Sequence, residues 1–146
     1  MKKLDMTEAI MSAKASQKMG WEQIAEKVGL NPVFVTAASL GQCSMPREYG
    51  EKLVAALGLP AEVVEALADY PYKGMDQAVP TDPLVYRFYE IMQVYGLSMK
   101  EVIHEKFGDG IMSAIDFTLD VDRQEDPKGD RVVVTMNGKF LPYKIW

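Results

Sequence analysis

Arg87 and Glu90 stand three residues apart in a run whose Leu84, Phe88, Ile91 and Tyr95 make one apolar helical stripe. That spacing puts the two charges about 60° apart around a helix. Both fall at the edge of the stripe, where a side chain is partly desolvated. An Arg and a Glu so placed are candidates for chemistry by residue type alone. The same spacing also describes a surface ion pair worth about 0.3–0.5 kcal/mol. Ser113 follows Gly108-Asp109-Gly110, a turn rich in backbone N–H groups. Ser113 is a further candidate by type, and its hydroxyl reads as a strand-entry group that bonds a neighbouring backbone group. Cys43 and His104 are each unique and are the nucleophile-and-base pair by residue type, yet nothing in the sequence brings them together or supplies a third group to orient them. A lone buried Cys is usually inert packing. His104, between Ile103 and Glu105, reads as a hydrogen-bonded structural residue. Asp116, Asp120 and Asp122 share one face of an alternating segment and read as solvated acids rather than a ligand set.

Composition removes further chemistries. One Cys excludes an intramolecular disulfide and a Cys-rich zinc site, and one His excludes a zinc site with several His ligands from one chain. The 146 residues are 48% hydrophobic and 25% charged, ordinary globular usage for one medium domain or two small ones. The net charge of −5 argues against a nucleic-acid backbone as main partner. Residues 1–79 hold eight Lys and Arg against ten Asp and Glu, and residues 80–146 hold eight against eleven, so no basic arm hides in the average. No apolar run approaches the roughly 18–20 residues that cross a bilayer. Asp5 and Glu8 stand where a signal peptide needs apolar residues. The expectation is a soluble protein of a reducing cytosol, without membrane association.

The elements that position these residues divide into two classes. Short helices are expected over residues 5–19, from Trp21 to a stop at Gly29, and from an Asn31 cap with Pro32 to about Leu40-Gly41. Pro46 is expected to open a fourth helix to Leu57-Gly58, and Pro60 a fifth to about Asp69. Residues 70–80, with two prolines and a glycine, read as a linker. Pro83 then opens a helix expected to stop at Gly96. Ser98, with Glu101 at the capping-box position, is expected to cap another that ends at Phe107-Gly108. From Ile115 to Asp122 apolar and polar residues alternate as in a strand, and Arg131–Met136 forms a second. Asn137-Gly138 signals a tight hairpin into Lys139-Phe140-Leu141. Two or three short strands with one apolar face need a partner to cover them, and a second subunit is expected.

The fold class is therefore α+β. Residues 1–75 form an all-helical bundle resembling a repressor-type helix-turn-helix domain, and residues 76–146 a small helix-plus-β-hairpin domain for dimerisation and catalysis. The helix at 31–41 would be the recognition helix, yet it holds no Lys or Arg and suits packing better than a DNA groove.

The run Pro83-Leu84-Val85-Tyr86-Arg87-Phe88-Tyr89-Glu90-Ile91-Met92-Gln93-Val94-Tyr95-Gly96 resembles the signature helix of the cyanases, also called cyanate hydratases or cyanate lyases. His104-Glu105-Lys106-Phe107-Gly108-Asp109-Gly110-Ile111-Met112-Ser113-Ala114-Ile115-Asp116-Phe117 and the ending Gly138-Lys139-Phe140-Leu141-Pro142 resemble the same family. The likeness runs from end to end, since that family also sets a helical bundle that does not bind DNA before a small α+β domain. By this resemblance the catalytic residues are Arg87, Glu90 and Ser113. The implied reaction is bicarbonate-dependent breakdown of cyanate to carbamate and CO2, with carbamate then giving ammonia and more CO2. Bicarbonate is a co-substrate, and neither a metal nor an organic cofactor is implied. The resemblance also implies a homodecamer of five dimers with sites at subunit interfaces. A helix-turn-helix regulator and a non-catalytic oligomeric scaffold are the rival readings.

Overall fold

A computed structural model describes residues 1–71 and 78–144. Residues 72–77, which carry most of the expected linker and the expected boundary at 75/76, lie outside the described residues. The elements are α1 (Lys3–Ser16), α2 (Trp21–Val28), α3 (Pro32–Ser39), α4 (Arg47–Leu57), α5 (Glu62–Ala68), α6 (Pro83–Phe107), β1 (Gly110–Gln124) and β2 (Arg131–Pro142). They form two compact units, and β1 and β2 pass from one to the other.

The first unit holds α1–α5 with Leu119–Val134. Its core gathers Met6 and Ile10 of α1, Ile24 and Val28 of α2, Val35 of α3, Leu53 and Leu57 of α4, and Val63 and Leu67 of α5. The five helices follow the sequence reading to within a few residues, and several of their ends carry local chemistry. Gly29 and Gly58 stop α2 and α4 at φ +81° and +64°, conformations that favour glycine. Asn31 caps α3, its Oδ1 accepting from Val33 N (2.8 Å) and Phe34 N (3.4 Å). The Asn31 amide nitrogen donates to Asp120 of β1 at 2.6 Å, which ties the helix-turn-helix to the strand pair. Arg47 and Glu65 join α4 to α5 through two 2.6 Å hydrogen bonds.

The second unit holds α6, the start of β1 and the end of β2. Here three expectations are corrected. Gly96 does not stop the helix and Ser98 does not cap a new one: α6 runs unbroken for 25 residues. A single interior glycine costs a helix only about 1 kcal/mol, too little to end one that is well started and long. The start is strong, with Pro83 in the first turn and the Asp82 carboxylate accepting from Leu84 N and Val85 N at 2.9 Å each. Asn137-Gly138 is not a hairpin turn but lies inside β2. The glycine there answers a close approach between strands rather than a turn. Among the described residues the strands are two and long, 15 and 12 residues, joined through Pro127 and Gly129.

Among the described residues α6 buries none of its side chains. Leu84, Leu97 and Ile115 are 66%, 78% and 97% exposed. The apolar stripe read from sequence exists, and the single chain leaves it open.

Candidate functional site

The cap on Asp82 fixes where α6 begins, and therefore where Arg87 and Glu90 fall on its second turn. Their side chains meet: Arg87 Nη1 donates to Glu90 Oε2 in an i, i+3 ion pair. The pair is open to solvent, with Arg87 67% and Glu90 40% exposed. Among the described residues only Nη1 of the guanidinium is engaged, so the edge formed by Nη2 and Nε keeps its donors. That contact leaves the free edge able to pair with two oxygens of an anion.

Ser113 is placed by β1 and is buried, 7% exposed. Its Oγ accepts from Ile115 N at 3.1 Å and Asp116 N at 3.0 Å. In a regular ladder successive N–H groups point to opposite edges, so two that converge on one oxygen mark a local departure from it. A hydroxyl has two acceptor positions and one proton. With both acceptor positions filled by N–H groups, the Ser113 hydroxyl is left to donate, and accepting those bonds polarises it further. Among the described residues Ser113 makes no hydrogen bond to Arg87 or Glu90. One chain thus brings Arg87 and Glu90 together and holds Ser113 separately.

The other residues of chemical interest are engaged in structure. His104 sits at the end of α6 with Nε2 3.1 Å from the Gly110 carbonyl oxygen and Nδ1 3.4 Å from the Asp109 carboxylate. It fastens the helix end to the start of β1, as its setting between Ile103 and Glu105 suggested. Phe107 stacks on Phe140 at 5.2 Å beside it. Cys43 packs half-buried against the helical core, in the other unit from His104. Asp120 is taken up by Asn31. Among the described residues no three His, Cys, Asp or Glu side chains gather as a metal site would require. The Ser113 hydroxyl thus bonds neighbouring backbone groups at the strand entry, as its sequence setting suggested; which two amides it takes, Ile115 N and Asp116 N, was not legible there.

Comparison with known proteins gives this geometry a family. Residues 3–71 match the family model for the N-terminal domain of cyanate hydratase, and residues 77–145 that for the cyanate lyase C-terminal domain. The chain is 60% identical to the cyanate hydratase of Marinomonas sp. (strain MWYL1) over 100% of both chains. It is 54% identical to that of Parasynechococcus marenigrum (strain WH8102) over 98% of each. The crystal structure of cyanase from T. urticae superposes with a TM-score of 0.84 at 37% identity, covering 94% of this chain and 96% of that one. A helix-turn-helix-like bundle, a capped helix carrying Arg87 and Glu90, and a strand presenting Ser113 therefore belong to a member of the cyanate hydratase (cyanate lyase) family of enzymes.

Proposed function

We propose that the chain decomposes cyanate with bicarbonate as second substrate. A bicarbonate oxygen attacks the cyanate carbon, and the dianionic adduct loses CO2 to leave carbamate, with one proton taken up. Carbamate takes up a second proton and falls apart to ammonia and CO2. The observation that carries this reading is the full-length match, at 60% identity, to a protein named cyanate hydratase.

The side chains suit the chemistry. Two anions must meet, so the site needs fixed positive charge and aimed donors in a water-poor setting. The free edge of Arg87 supplies a fork for paired oxygens. The Ser113 hydroxyl, its acceptor positions filled by Ile115 N and Asp116 N, donates to the adduct and does not act as a covalent nucleophile. Glu90 orients Arg87 and handles a proton. Holding both small substrates together removes much of the entropic barrier. The reaction as written needs neither a metal nor an organic cofactor.

In this reading the water-poor setting comes from self-association. Arg87 is exposed in one chain and α6 carries an uncovered apolar stripe. Soluble monomers rarely expose large contiguous apolar patches. We assign the cover to other copies of the chain, as a homodecamer of five dimers with sites where subunits meet, working in the cytosol. No helix among the described residues is long and apolar enough to cross a membrane.

The test is ammonia release from cyanate by the purified oligomer, by Arg87→Ala and Ser113→Ala, and by wild-type chain diluted until subunits separate. Turnover by the intact oligomer alone supports the reading. A well-assembled oligomer that releases no ammonia leaves the idle scaffold as the better account, and an active monomer overturns the shared site.

A further inference from the structure

Ser113 is held from two directions. Within β1 its hydroxyl oxygen accepts from Ile115 N and Asp116 N. From β2 its neighbour is Gly138, and there the strands are close. A Cβ on Gly138 would stand 2.5 Å from the Ser113 carbonyl oxygen and 2.5 Å from Met112 Cγ, with Met112 Sδ at 3.2 Å. Real Cβ atoms essentially never approach a heavy atom under 3.0 Å. Met112 is flexible and could move aside. The carbonyl is backbone, so any side chain at 138 displaces the strand at Ser113 itself. Gly138 is not among the residues of positive φ, so the position needs space, not conformational freedom.

We propose that Gly138 is a positioning residue for Ser113: its missing side chain lets β2 lie close enough to fix the Ser113 backbone, and with it the direction in which the hydroxyl donates. The inference rests on the anion-binding role proposed for Ser113. It accounts for a glycine in mid-strand, where packing and entropy both disfavour one.

Four chains test it: wild type, Gly138→Ala, Ser113→Ala, and the double variant Gly138→Ala/Ser113→Ala. Gly138→Ala should lower kcat by up to about a hundredfold, the scale of an ångström-sized misplacement, with KM for cyanate little changed. It should add little to the loss in Ser113→Ala, because both act through one group. A fifth chain, Met112→Ala/Gly138→Ala, removes the side-chain overlap and keeps the carbonyl overlap, so it should keep the loss. Being less crowded, it also serves if Gly138→Ala alone fails to assemble. Hydrogen exchange at the Ile115 and Asp116 amides should quicken in every chain carrying Gly138→Ala. Near wild-type kcat, multiplied losses in the Ser113 double variant, or recovery on trimming Met112 would overturn the proposal. A wild-type chain that releases no ammonia would count against the reaction instead. Amide exchange then decides the positioning role alone, and unchanged protection at Ile115 and Asp116 overturns it.

Discussion

Arg87→Lys keeps the positive charge and removes the planar fork, so it separates charge from geometry. Its effect on stability follows from exposure. The Arg87–Glu90 pair is open to solvent on both sides, and such i, i+3 pairs contribute about 0.3–0.5 kcal/mol. Lysine has nearly the helix propensity of arginine, so α6 should be otherwise undisturbed. The thermal midpoint and the oligomeric state should stay close to wild type. Turnover should not. An ammonium is a point charge that cannot hold two oxygens in one plane, and losing one aimed donor to a developing anion costs about 2.7–4 kcal/mol, or 10²–10³ in kcat. The assay is initial-rate ammonia release at saturating cyanate and bicarbonate, with thermal unfolding and size-exclusion run on the same preparation. A large fall in kcat at unchanged stability fits the fork. Turnover near wild type, or a fall that merely tracks lost assembly, would remove Arg87 from its role.

Four further outcomes are expected. Ser113→Ala removes the acceptor of the Ile115 and Asp116 N–H groups, which belong to exposed residues in one chain, so it should cost about 0.5–1.5 kcal/mol in urea unfolding as well as activity. Asn31→Ala loses both the α3 cap and the bond to Asp120 and should destabilise by about 1–3 kcal/mol, while Asn31→Ser keeps the cap and should recover about half. The Ser39 hydroxyl is fully buried and has no hydrogen-bond partner among the described residues, so Ser39→Ala should raise stability by about 1 kcal/mol, read as a higher urea midpoint. Hydrogen bonds from Arg47 hold the Glu65 carboxyl below its ordinary 4.5. Its contribution is complete above that value and is lost as pH falls through the lowered one, so wild type and Glu65→Gln should converge in stability as the pH drops below it.

What was legible in the sequence was what local chemistry decides. Asn31 with Pro32 marked the start of α3, and the structure shows that cap atom by atom. Pro83 marked the start of α6, and the i, i+3 spacing put Arg87 against Glu90. Misreadings arose where a local signal was overruled. Gly96 and Ser98 each look like an end, yet a long helix absorbs both. Asn137-Gly138 looks like a turn, yet Gly138 is there because Ser113 and Met112 lie against it. That closeness exists only after β1 and β2 have paired, so no window of sequence contains it. The same holds for the Asn31–Asp120 bond, whose partners are 89 residues apart. Residue types and spacing left Arg87, Glu90 and Ser113 level with plain structural readings, and only the family resemblance singled them out; the apolar stripe was legible, and one chain leaves it uncovered.

The most direct measurement is ammonia release from cyanate as bicarbonate is raised from zero in carefully degassed, CO2-free buffer. Almost no ammonia is expected without bicarbonate, with a rise to a plateau as it is added and no response in Arg87→Ala or Ser113→Ala. Ammonia released at an unchanged rate without bicarbonate would mean that water is the attacking group, and the two-anion site described above would be wrong.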